Sequence, residues 1–65
     1  MSWNTLPPAT KAHAQANLTE RQLHVLTLHL AGCSQRRIAS MLGISRITVR
    51  DHLNIAIATL KEPTT

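Results

Sequence analysis

Gly43 is the residue that most constrains this chain, because apolar positions recur at helical spacing on both sides of it, with only about three residues between the two patterns. Before it, Ile38, Ala39 and Leu42 fall at i, i+1 and i+4, and Ser34 stands where an N-cap belongs. A glycine after the last periodic residue adopts the left-handed conformation at little cost, so the first helix is expected to stop there. Ile44 then turns into the core and Ser45 caps the next helix. On that helix Val49, Leu53, Ala56, Ile57 and Leu60 cluster on one face at about 100° per residue. Ile47, Arg50, Asp51, Asn54 and Ala58 are left on the opposite face. Two helices joined by so short a turn make a helix-turn-helix. It runs over residues 34–60, and its second helix, 45–60, has a face free to read something.

The preceding stretch reads as a supporting helix. Thr19 and Gln22 fit a capping box, Leu18 is placed to staple against Leu23, and Gly32 ends the element. Val25, Leu26 and Leu30 form its inward stripe, whereas Leu23 and Leu28 widen that stripe past one face. In a monomer some of this leucine would be wet, so a second subunit or the N-terminal arm is expected to cover it. Thr10 is a candidate cap for a short helix over 10–16, whose apolar face is only alanine and is expected to pack weakly. Pro7 and Pro8 predict an extended segment over residues 1–8. Within it Trp3, the one aromatic, and Leu6 are expected to fold back or to meet a partner chain. After Leu60, Lys61-Glu62-Pro63 is expected to end the last helix. The predicted fold is all-α: a three-helix core with a helix-turn-helix, plus an N-terminal arm or short extra helix. The arm takes residues 1–17 and the helix-turn-helix domain residues 18–62.

Length and charge narrow the function. A chain of 65 residues buries a thin core, about 60% of its unfolded surface, which speaks against an enclosed active site. The formal charge is +4, and Arg36, Arg37, Arg46 and Arg50 fall within fifteen residues opposed only by Asp51. Lys11, Arg21 and Lys61 are scattered, near Glu20 and Glu62. The basic patch therefore coincides with the motif. A solvated basic face is the bland reading, but a polyanion partner accounts for the coincidence, since neutralising phosphates releases counterions. The single cysteine excludes an intrachain disulfide and fits a reducing, cytoplasmic location. No stretch approaches the roughly 18 apolar residues of a membrane span. His24 and His29 diverge on a helix and no paired-cysteine pattern accompanies Cys33, so no metal site is expected, and His29 and Cys33 read as partly buried packing residues. His52 is expected to sit beside the turn or to touch phosphate. Three carboxylates at helix surfaces or ends offer no catalytic set, and neither an enzyme nor a cofactor is expected.

The tract from Leu18 to Leu60, LTERQLHVLTLHLAGCSQRRIASMLGISRITVRDHLNIAIATL, resembles the LuxR-type DNA-binding domain. That family's pattern is L-T-x-R-E, a glycine, S-x-x-E-I-A, L-G-I-S and T-V-x-x-H. Leu18-Thr19, Gly32, Ile38-Ala39, Leu42-Gly43-Ile44-Ser45 and Thr48 to His52 match it in order without a gap. The tract also resembles region four of sigma factors. The LuxR-type resemblance implies that the second helix enters the major groove with Arg50, Asp51 and Asn54 facing base edges, the face the helical pattern also leaves free. Arg50 suits guanine O6 and N7, Asn54 adenine, Asp51 cytosine N4 and Ile47 a thymine methyl. Ser34, Arg36, Arg37, Ser45, Arg46 and Thr48, near two helix N-termini, are the candidates for phosphate contact.

Three departures qualify the resemblance. Family members commonly carry Glu where Arg37 stands; arginine there loses a capping box and opposes the helix dipole, a strain that a bound phosphate would relieve. The family usually has basic residues where Ala58 and Thr59 stand, so a phosphate contact is expected to be missing there. The family's fourth, subunit-pairing helix would begin about where this chain stops. Pairing or partner contact is therefore expected from Trp3, Leu6, Leu23, Leu28 and Ile55. The expected function is a small sequence-specific transcriptional regulator, a repressor or autoregulator, binding an inverted repeat in double-stranded DNA as a homodimer. With no receiver or ligand-binding domain, it is expected to be regulated by its concentration, oligomeric state or a partner. The alternatives are a sigma-region-four-like adaptor for RNA polymerase or another protein, and a non-specific basic nucleic-acid-binding protein.

Overall fold

The computed structural model describes residues 2–61. Its elements are a 3-10 turn, Trp3–Thr5, followed by α1, Pro8–Asn17; α2, Glu20–Leu30; α3, Gln35–Leu42; and α4, Arg46–Lys61. The all-α, three-helix architecture around a helix-turn-helix is as the sequence predicts, with α1 added. No helix among the described residues is long and apolar enough to cross a membrane.

Local chemistry sets the helix boundaries. At the start of α2 the Thr19 hydroxyl accepts from the Gln22 N–H at 3.2 Å and the Gln22 amide oxygen accepts from the Thr19 N–H at 3.0 Å, closing the predicted box. The Ser34 and Ser45 hydroxyls each accept, at 3.1 Å, from the N–H three residues on, Arg37 and Thr48. Helices α2 and α3 end alike. Gly32 (φ 99°) and Gly43 (φ 67°) are left-handed, and the N–H that follows each reaches back to a carbonyl five residues earlier: Cys33 to Leu28 and Ile44 to Ala39, both 3.1 Å. This is the Schellman arrangement, with its usual apolar contact between the ends of the turn. Leu28, Cys33, Ala39 and Ile44 all belong to one core.

That first core centres on Val25, Ile38, Ala39, Val49 and Leu53, with Leu28, Leu42, Ile44, Cys33 and Ile57 packed around it. It joins α2, α3 and the first half of α4. A second core, Ala14, Leu18, Leu26 and Ala56, with Trp3, Leu23, Leu30 and Leu60 around it, joins α1 to α2 and the far half of α4. Leu18 and Leu23, the expected staple, lie together in it.

The N-terminus departs from expectation. The segment over 1–8 is not extended throughout: the Thr5 hydroxyl accepts from the Ser2 N–H and donates to the Ser2 carbonyl, at 3.2 and 2.8 Å, folding Trp3–Thr5 into a turn. Helix α1 begins at Pro8 rather than after a Thr10 cap, because proline at the first helical position has its φ already set and needs no N–H partner. Of its alanines Ala14 is fully buried, whereas Ala9, Ala12 and Ala16 are exposed. The methyl side chain of Ala14 lets α1 approach α4 closely, and Trp3 packs against the same core. The surplus leucines, Leu23 and Leu28, are half-buried in the protein's own cores. His29 is exposed rather than packed, being on the outward side of α2, while Cys33 is half-buried as expected. Thr59 is 7% exposed and its hydroxyl donates to the Ile55 carbonyl at 3.0 Å, so it faces inward, away from any phosphate. The expected helix end at Glu62-Pro63 lies outside the described residues.

Leu26 is fully buried in the second core. Leu26→Ala is expected to lower unfolding free energy by about 2–5 kcal/mol in urea titrations, the range for buried leucine truncation.

Candidate nucleic-acid interface

The face of α4 away from the cores carries Ile47, Arg50, Asp51, Asn54 and Ala58, all exposed. Ile47 is 64% exposed, an unusual degree for isoleucine on a helix whose opposite side supplies the core residues Val49, Leu53 and Ala56. The sequence pattern alone placed these residues together, since every third or fourth position of a helix shares a face.

Around this face are two helix N-termini of one electrical character. Neither α3 nor α4 has an acidic residue in its first turn, whereas α2 has Glu20 there and a complete capping box. Each N-terminus carries partial positive charge from unpaired N–H groups. Arg36 and Arg37 add to it on α3 and Arg46 on α4, all three exposed. Among the described residues, no ion pair occupies Arg36, Arg37, Arg46 or Arg50. The supporting helix thus carries an acid at its own end, and the two motif helices carry none. Ser34 and Ser45 are exposed but committed to their caps, and the Ser45 hydroxyl also bonds that of half-buried Thr48 at 2.8 Å.

A residue not picked out by sequence reasoning joins this group. Gln35, the first residue of α3, lines a shallow recess together with Arg46, Ile47 and Arg50 of α4. No sequence signal marks it, because its meeting with α4 depends on how the two helices cross. Of the residues considered for pairing, Ile55 is 49% exposed on α4, while Trp3, Leu6, Leu23 and Leu28 are half-buried. His52 is half-buried on α4. Among the described residues no three His, Cys, Asp or Glu side chains gather in one place.

A helix-turn-helix with an exposed basic face on its second helix is the arrangement found in DNA-binding domains. The family described as bacterial regulatory proteins, luxR family, matches residues 16–61, and the chain belongs to it. No curated protein and no solved structure matches the chain. Membership makes this a LuxR-type, DNA-binding transcription regulator domain rather than a member of an enzyme family. The match begins within α1, so Trp3 and Ala14, which complete the second core, lie outside it.

The Ser45 cap can be separated from its neighbourhood to DNA. Ser45→Ala is expected to cost about 1 kcal/mol in thermal unfolding, as lost caps do. Ser45→Asp keeps the cap and so the stability, but its carboxylate is expected to weaken binding to every duplex in fluorescence anisotropy.

Proposed function

We propose that this protein is a sequence-specific transcriptional regulator that reads the major groove with α4. The exposed face of Ile47, Arg50, Asp51 and Asn54 carries this reading, because its four side chains offer apolar, donor, acceptor and mixed amide chemistry toward base edges. Ser34, Arg36, Arg37, Ser45, Arg46 and Thr48 are assigned to the flanking phosphates, which fix register without reading sequence. The N-terminal charge of α3 supports this: Arg37 stands in a first turn with no acid, a placement that favours a bound phosphate.

Two copies on an inverted repeat follow from specificity, since a single recognition helix reads too few base pairs to find one site in a genome. Ile55 is the exposed apolar residue available beside the reading face. We assign repression or autoregulation, in the cytoplasm, to this DNA-binding domain. The adaptor reading draws on the leucine surplus, of which Leu23 and Leu28 are half-buried against the protein's own cores.

Selection of bound duplexes from a random pool, with the salt dependence and mass of the winning complex, tests the proposal. An enriched inverted repeat bound by two chains is expected. Absence of enrichment with a steep salt slope would replace it by non-specific binding. On the selected site Asn54→Ala is expected to cost about 1–3 kcal/mol and to relax one position, leaving other sequences unaffected. Arg36→Ala is expected to weaken all duplexes alike and to reduce the logarithmic salt slope by about 1.

A further inference from the structure

The recess between α3 and α4 is rich in donors and poor in acceptors. Its lining is Gln35, Arg46, Ile47 and Arg50. Two guanidiniums and an isoleucine offer no acceptor, because arginine has donors alone and isoleucine has neither kind. The amide oxygen of Gln35 is the one side-chain acceptor in the lining. Asp51 does not line it, and as the immediate neighbour of Arg50 on a helix it points elsewhere. The space is about 220 Å³, several times the roughly 30 Å³ share of one water molecule, so it has room for a phosphodiester group.

An arginine that bonds a guanine in a fork uses two of its five N–H donors, and docking removes water from the others. A long side chain with free rotamers also gives up entropy when it is held in one geometry. The first cost falls if a neighbour accepts from the guanidinium as the DNA docks. We propose that Gln35 is this positioning residue. The two side chains share the recess in the free protein; on docking, the Gln35 Oε1 accepts from the Arg50 guanidinium and holds it toward the groove, while its Nε2 donates to a backbone phosphate held with Arg46. One amide thus couples backbone register to base reading across the two helices of the motif. The inference rests on the assignment of Arg50 to base reading and adds to it a residue on the other helix.

The test uses the duplex selected by the parent protein and its single-base variants. The position read by Arg50 is the one at which Arg50→Ala loses discrimination. Gln35→Ala is expected to weaken the preferred duplex about tenfold and to lower discrimination at that same position. In the double variant the two losses are expected to be less than additive, as for residues in contact. Gln35→Glu keeps an acceptor but presents a carboxylate to phosphate: affinity should fall on every duplex while discrimination at the Arg50 position survives. An acid in the first turn of α3 also favours the helix, so this variant keeps the fold. Equal losses on all duplexes for Gln35→Ala, additive with Arg50→Ala, would overturn the coupling and leave a plain phosphate contact. Unchanged binding of Gln35→Ala would overturn any role at the interface. If the parent enriches no duplex, base reading itself is wrong and the Gln35 proposal falls with it.

Discussion

The left-handed turn at Gly43 is the constraint on which the functional surface depends. Its positive φ lets the Ile44 N–H return to the Ala39 carbonyl, so the chain leaves α3 and enters α4 within three residues. That return brings Ile38 and Ala39 against Val49 and Leu53, and with these buried the remaining face of α4 has no choice but to point outward. A Cβ at position 43 would meet no other atom within 4 Å; the restriction is the backbone conformation alone. Gly32 does the same for α2 and α3, which fixes where the N-terminus of α3 emerges.

Burial and exposure are divided around α4, and its buried side serves two cores along its length. Its first half carries Val49 and Leu53 into the core beneath the motif, and its second half carries Ala56 and Leu60 into the core under α1. A domain of this size has little interior to spare, and the second cluster extends it by recruiting a helix and a tryptophan that lie largely outside the family match. The residues that touch neither core, Arg36, Arg37, Arg46, Ile47, Arg50 and Asn54, are thereby free to meet a ligand without loss of packing.

Much of the site was legible because it rests on local rules. The boundaries of α2 and α3 and the start of α4 followed from Thr19, Gln22, Gly32, Ser34, Gly43 and Ser45, each acting on groups within five residues of itself. The exposed face of α4 followed from helical periodicity, which sorts side chains before any partner is known. The N-terminus was less legible. Two prolines signal an extended chain when read as helix breakers, yet at the start of a helix they serve as its first turn. The value of Ala14 is invisible until a neighbouring helix is close enough to use its smallness, as α4 is.

What the amino-acid sequence determined by itself was therefore the helices, their ends, the helix-turn-helix and the face of α4 left outside, because these depend on contacts between near neighbours in the chain. What the tertiary structure alone decided was where the surplus leucines go, that α1 and Trp3 seal a second core, that Thr59 turns inward, and that Gln35 shares a recess with Arg46 and Arg50. Those outcomes depend on the approach and crossing of helices distant in sequence. Periodicity gives the direction of a side chain from its own axis but carries no information about which other axis it will meet.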